Sequence, residues 1–288
     1  MKTSTEIAST AKIVGEEKAI ELIAKAGFDA WDFSIFLMHN YNYGTKKLDK
    51  AEHPLMHRSA IKFAKKLKNI GLDNGIVCNQ SHAPFPICFD YMRDSLKRAI
   101  ECTFEAGGKI CVIHPNNDML PEENAEIFNE LLPFAKSCGV KIALENMWNW
   151  RYVTRGPDFA ACSTPDDFVA HLNAINDDFA VACLDIGHAE LSALETSATK
   201  MIYALKDKLL TMHISDTNKL RDLHQIPFAG SIDWQPILRA LKDIDYKGEY
   251  FTLEVKSYLK DFNKDNVMSG VKDLYASVKK LVDMYENL

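Results

Sequence analysis

Short apolar runs alternate with longer stretches whose apolar residues recur every three or four positions, and this alternation continues along the whole chain. DAWDFSI (29–35), GIVCNQSHA (75–83), KICVIHP (109–115), KIALEN (141–146), FAVACLDIG (179–187), LLTMHISD (209–216) and YFTLEV (250–255) predict strands. Helical periodicity fills the intervals, over about 15–26, 55–70, 91–106, 121–138, 164–175, 195–206, 231–244 and 265–286. Glycines at 27, 71, 107, 108 and 139 mark the stops of the early helices. Pro121 sits at a first turn, and Thr164 before Pro165 is an N-cap. An eighth, less distinct strand is expected near Ile7–Thr10.

Apolar strands separated by helices should be parallel and covered on both faces. Eight such units in 288 residues fit a (β/α)8 barrel, with residues 1–288 forming one α/β domain. A doubly wound open sheet fits less well, because no glycine-rich phosphate turn follows an early strand. The longest irregular stretches, 39–53, 147–163 and 216–231, each follow a strand, where a barrel builds the rim of its site.

The parallel barrel gives the polar residues at the strand ends a common destination. His82, His114, Glu145, Asp185, His188, His213 and Glu254 end strands or follow them closely, and Asp222 and His224 lie in the loop after the seventh. All nine therefore face one mouth. An unpaired carboxylate after an apolar run is costly to bury, and a divalent cation removes that cost. The mixture of carboxylate and imidazole favours a transition-type ion over calcium. Glu145, Asp185, His213 and Glu254 are the main candidates for metal ligands. His82, His114, His188, Asp222 and His224 suit either a further metal or substrate hydroxyls. Taken singly, each has a plainer use: a hydrogen-bonded structural histidine, or Asp185 as a turn or cap residue. Trp31, Phe33, Phe85, Trp148, Trp150 and Phe228 offer aromatic faces for a sugar, though loop packing would use them as well. Lys256, Arg221 and Arg151 are cations within reach of the mouth.

In this order and spacing, LEN (144–146), LDIGH (184–188), HISD (213–216), the run from Asp222 to Trp234 and TLEV (252–255) resemble the xylose-isomerase-like barrel superfamily over essentially the whole chain. The resemblance implies a metal-dependent isomerase or epimerase of a sugar, sugar phosphate or polyol. One divalent ion (Zn, Mn, Co or Mg) is expected, and two or three are allowed. It implies Glu145, Asp185, His213 and Glu254 as the metal site, with Glu145 and Glu254 also the acid/base pair of a metal-stabilised enediolate mechanism. His188 resembles the residue near the substrate carbonyl. The same nine residues match in order the trinuclear site of the zinc-dependent apurinic-site endonucleases, and a dehydratase of the inosose type would use the same parts. A sugar-binding barrel without catalysis is the reading from another class, weakened by the two glutamates. Relatives are often homo-oligomers.

Charge and composition narrow the partners. The net charge of −6 disfavours a nucleic-acid partner, since phosphate contacts need a basic face. Seven cysteines without a CxxC pair read as reduced thiols of a cytoplasmic protein, and no apolar run reaches the length of a membrane span.

Overall fold

Eight parallel strands form the centre of the computed structural model, which describes residues 1–42, 45, 47–49 and 53–288. They are β1 (Lys2–Glu6), β2 (Ala30–Phe33), β3 (Val77–His82), β4 (Ile110–Ile113), β5 (Lys141–Glu145), β6 (Ala180–Asp185), β7 (Leu209–His213) and β8 (Tyr250–Leu253). Their order is β7-β6-β5-β4-β3-β2-β1-β8. A parallel bridge from Ile214 to Leu253 joins the two ends and closes a (β/α)8 barrel. No helix among the described residues is long and apolar enough to cross a membrane.

The helical layer follows the predicted rhythm. Pro121–Cys138 is helical as expected, and Thr164 caps Pro165–Ile175 by accepting a hydrogen bond from the Asp167 N–H. Gly27, Gly107 and Gly139 end their helices in the left-handed conformation. The main apolar core lies between strands and helices, where Ile23, Phe33, Leu67, Phe128, Phe168 and Phe251 are buried.

Inside the barrel, one side is apolar, with Val112, Ala143, Val181 and Cys183 in contact. The other side is polar and holds Ser4, Asp32, Asn79, Gln80, Thr211 and Thr252 in one hydrogen-bonded set. The register supports it. Trp31 pairs with Cys78 and Asp32 with Gln80, so Asn79 is an extra residue that bulges β3. Both Asn79 and Gln80 reach the interior as a result.

Two expectations fail here for identifiable reasons. The eighth strand is Lys2–Glu6, and the segment placed in it, Ile7–Thr10, instead leads into a helix over Ala8–Val14. The true strand, KTSTE, carries almost no apolar signal, because its inward residues serve the polar side of the barrel. Gly71 does not stop its helix, which runs over Ala60–Asp73. A β-carbon at Gly71 would lie 2.9 Å from Trp31 Nε1 and 3.0 Å from the Ile76 carbonyl oxygen. The glycine permits close approach of helix, strand and turn. The irregular stretch 39–53 falls partly outside the described residues, and includes a two-stranded ribbon of Asn40–Asn42 with Lys47–Asp49. The stretch 147–163 carries a second ribbon, Asn149–Arg151 with Gly156–Asp158.

Gly71→Val should lower unfolding stability by roughly 1–3 kcal/mol, the usual cost of overpacking. Denaturant titration checks this; unchanged stability would mean that the Trp31 contact does not constrain the helix.

Candidate active site and metal centre

Strand register sets the centre. Asp185 on β6 is paired with His213 on β7, and Cys183 with Glu145 on β5. Paired residues share a face and alternate residues along a strand return to it, so Glu145, Asp185 and His213 all point inward. Glu254 joins them from the end of β8, where its N–H donates to the Ile214 carbonyl. One ligand atom from each of Glu145, Asp185, His213 and Glu254 can be chosen so that all lie within 4.8 Å of one another.

The fit of this set to a cation can be tested on its hydrogen bonding. Both Glu145 oxygens, Asp185 Oδ2, Glu254 Oε2 and both His213 nitrogens are buried without a hydrogen-bond partner among the described residues. Nearby imidazoles approach: His213 Nδ1 and His114 Nε2 each lie 3.2 Å from a Glu145 oxygen, without hydrogen-bond alignment. Buried polar atoms are ordinarily paired. Several acceptors converging on one point are what a divalent ion satisfies, and the donor set suits Zn, Mn, Co or Mg. The residues fit the group.

A second cluster adjoins the first. His188 Nε2 and His224 Nε2 lie 3.3 and 3.0 Å from Asp222 Oδ2. Both rings donate through Nδ1 to backbone carbonyls, His188 to Asn146 at 2.8 Å and His224 to Glu254 at 2.9 Å. Those bonds leave each Nε2 facing Asp222, the arrangement by which outer partners orient metal-binding imidazoles. His82 and His114 form the third edge: their Nε2 atoms are 2.6 Å apart, and His82 Nδ1 lies 3.2 Å from Glu254 Oε1.

Electrostatics reflect three buried carboxylates in a small volume. Burial pushes the Asp185 carboxyl up to about 6. Burial opposes ionisation of Glu145 too, but its close contacts with the His213 and His114 rings outweigh it and hold the carboxyl well below its ordinary range. Glu254 is lowered in the same way, against burial, by Lys256 and His213. Burial works against charge on His188, yet Asp185 and Asp222 raise it to about 10. Burial brings His114 down to about 4, which leaves a neutral ring. A protonated His188 thus offsets carboxylate charge here, and a cation binding beside it would compete with such protons.

The cluster forms the floor of a cavity of about 420 Å³. Of the nine strand-end residues, His114, Glu145, His188, Asp222, His224 and Glu254 line it, together with Phe85, Trp148 and Lys256. Phe85 stacks on His114 with centroids 4.6 Å apart, and Trp148 Nε1 donates to Asp222 Oδ2 at 3.3 Å. The Lys256 ammonium is held 2.8 Å from Glu254 Oε1.

Other expected rim residues lie elsewhere. Trp31 and Phe33 flank the inward Asp32 on β2, so alternation turns both rings outward into the core under the helices. Phe228 packs against Trp234 and beneath the Lys280 ammonium, 3.8 Å from its ring centroid. Trp150 stands on the outer ribbon, where Arg151 pairs with Asp158. Arg221 is outside the cavity lining as well.

Several residues were not singled out from the sequence. Asn146 donates to the Asp185 carbonyl at 2.9 Å and accepts from the Asp185 N–H at 2.7 Å, locking β5 to β6 beside two of the carboxylates. Its place directly after Glu145 was the available signal. Asp216 accepts from the N–H groups of Thr217, Phe228 and Ile232 and so fixes the loop that carries Asp222 and His224. Asp32, an acid inside an apolar strand, lies 3.3 Å from His213 Nε2. Glu6 also ends a strand at this mouth but caps the following helix through the Ser9 N–H.

A closed barrel whose acids and imidazoles meet at the C-terminal strand ends defines an enzyme-like α/β barrel with a candidate metal centre. The chain belongs to the xylose isomerase-like TIM barrel family, whose model matches residues 20–276. The uncharacterised protein MJ1311 of Methanocaldococcus jannaschii is 26% identical over 166 residues, 54% of each chain. The uncharacterised protein y4fM of Sinorhizobium fredii is 34% identical over 70 residues, 24% of this chain and 22% of its own. The chain therefore spans about half or less of the length of these relatives. Among solved structures, a D-tagatose 3-epimerase-like protein superposes with TM-score 0.74 at 20% identity, covering 100% of this chain and 99% of its own. An L-ribulose 3-epimerase gives TM-score 0.70 at 17% identity, covering 99% and 96%. A xylose isomerase domain protein from Alicyclobacillus acidocaldarius gives 0.71 at 16%, covering 99% of each chain. At these identities the likeness is one of fold.

Asn146→Ala would leave the buried Asp185 N–H and carbonyl unpaired. It should cost about 2–4 kcal/mol of stability, from two lost hydrogen bonds at unsatisfied buried groups. Thermal and denaturant unfolding measure this. A loss within error of zero would show that the interlock does not hold the two strands.

Proposed function

We propose that this protein is a divalent-metal-dependent isomerase or epimerase of a small sugar or polyol, acting by proton transfer beside a carbonyl. The observation that carries the reading is the convergence of Glu145, Asp185, His213 and Glu254, with buried and unpartnered ligand atoms, beneath a cavity of sugar size. The epimerase names among its structural neighbours are consistent with it.

Glu145, Asp185, His213 and Glu254 would hold the ion, which supplies Lewis-acid stabilisation of the charge that develops on the substrate's oxygens. Glu145 and Glu254 come from strands on different sides of the barrel, so one carboxylate takes the proton from the substrate carbon and the other returns it. Their lowered pKa values keep both carboxylates ionised, the form a general base requires. His188 and His224 face the cavity with their ring orientations fixed by backbone carbonyls and suit substrate hydroxyls. Phe85 and Trp148 provide the apolar walls that exclude water and stack on the sugar. Among the described residues that line the cavity, Lys256 is the one lysine or arginine, and Glu254 neutralises it. This favours an uncharged sugar over a sugar phosphate.

A hydrolase of the apurinic-site endonuclease type is the second reading. It is favoured by the two further groups, His188–Asp222–His224 and His82–His114–Glu145, which also gather within metal-binding distance. The acidic net charge, and a lining whose one lysine or arginine among the described residues is already paired, weigh against a phosphodiester backbone as substrate. A dehydratase would use the same groups as the epimerase.

Metal-loaded protein in D₂O should introduce deuterium at one carbon of an unphosphorylated ketohexose or ketopentose, read by NMR. Glu145→Gln and Glu254→Gln should each slow this exchange by at least about 10²-fold, the usual worth of a positioned acid or base. Exchange that survives in both variants removes the acid/base pair. Elemental analysis after loading should find one tightly held ion per chain; two or three, with nicking of abasic duplex DNA, would favour the hydrolase.

A further inference from the structure

His213 is the one imidazole among the four proposed ligands, and it has two nitrogens to offer. Nδ1 lies 3.2 Å from Glu145 Oε1 and 3.7 Å from Glu254 Oε2. Nε2 points the other way, 3.3 Å from Asp32 Oδ2. We propose that Asp32 is a positioning residue: it takes the Nε2–H of His213 and so aims the Nδ1 lone pair at the cation. The proposal rests on the metal-site reading given above.

The polar side of the barrel supplies the independent argument, because its hydrogen bonds run in one direction. Ser4 Oγ donates to Asn79 Oδ1 at 2.7 Å. Asn79 Nδ2 donates to Gln80 Oε1 at 3.3 Å and to Thr252 Oγ1 at 3.0 Å. The Thr211 and Thr252 hydroxyls also donate to Gln80 Oε1. With three donors on its oxygen, the Gln80 amide has one orientation, and its Nε2 donates to Asp32 Oδ2 at 2.9 Å. Reversing the amide would set its NH₂ against the Asn79 NH₂ and its oxygen against the Asp32 carboxylate.

Asp32 therefore ends the chain as an acceptor. It is buried on an inward strand position, and its Oδ1 has no hydrogen-bond partner among the described residues. One amide donor leaves a buried carboxylate under-satisfied, and the His213 ring is the next polar group beside it. The opposite tautomer would place an imidazole lone pair against the Asp32 carboxylate. It would also aim an N–H at the point where Glu145 and Glu254 converge. Both contacts are repulsive once a cation is there. The 3.3 Å contact is not aligned as a hydrogen bond, and the proposal requires it to tighten when the ion binds.

The test is ¹⁵N NMR of histidine-labelled protein titrated with Zn²⁺, with His213 assigned by comparison with His213→Gln. The expected result is a protonated Nε2 and a metal-shifted Nδ1. A metal-shifted Nε2 with protonated Nδ1 overturns the proposal and leaves the metal site standing. If neither His213 nitrogen responds to Zn²⁺, the metal-site reading fails and the proposal with it. Zn²⁺ affinity by competition with a chromophoric chelator supplies the second measurement. Asp32→Ala should weaken it about 10- to 100-fold, the usual worth of an outer partner to a ligating histidine. Asp32→Asn keeps an acceptor oxygen and should recover much of the loss. A folded Asp32→Ala whose affinity stays within about two-fold of wild type would contradict the positioning role. The tautomer of the wild-type protein decides the matter even if the variants fail to fold.

Discussion

Carboxylates buried together at the mouth of a closed barrel are the constraint around which this protein is organised. Glu145, Asp185 and Glu254 are almost completely removed from water, and several of their oxygens lack hydrogen bonds among the described residues. A barrel could save that cost by placing apolar residues at the same positions, as it does one layer below with Val112, Ala143, Val181 and Cys183. Instead the acids are surrounded by His82, His114, His188, His213 and His224, groups able to carry a proton or to bind a metal. The consistent account of both choices is a site preorganised for a cation, with the electrostatic cost of its assembly met when the ion arrives.

The rest of the fold makes that preorganisation possible. Strand pairing sets Asp185 opposite His213 and Glu145 opposite Cys183 without help from any loop. Asn146 then locks the backbone of β6 beside the carboxylate that ends it, and Asp216 gathers the long loop that returns Asp222 and His224 to the mouth. Side chains on strand ends are held more precisely than side chains on loops, and the four proposed ligands come from β5 to β8 and their ends. The aromatic walls, by contrast, stand on the segments after the strands, and they touch the centre through the contacts of Phe85 with His114 and Trp148 with Asp222.

Much of this was legible in the sequence, and what was missed has particular physical causes. Seven strands show themselves as apolar runs, and a polar residue closing such a run is conspicuous. Glu145, Asp185, His213 and Glu254 could therefore be found together. β1 was misplaced because its inward side is polar by design, so apolar patterning points to the wrong segment. Trp31 and Phe33 were assigned to the rim by their nearness to a strand end. The alternation around Asp32 contains the correction, since one inward acid turns both neighbours outward. The seat of Phe228, between Trp234 and Lys280, depends on the path of a loop and leaves no local pattern. The roles of Asn146 and Asp216 are likewise visible only once β5, β6 and the loop after β7 are side by side.

The most direct measurement is a crystal structure grown with Zn²⁺ or Mn²⁺, with anomalous data collected on both sides of the metal's absorption edge. The account predicts an anomalous peak among Glu145, Asp185, His213 and Glu254, with ligand atoms at about 2.0–2.3 Å, the range of such coordination. Crystals saturated with the added ion that show no peak at that point, the four side chains remaining apart, would contradict it.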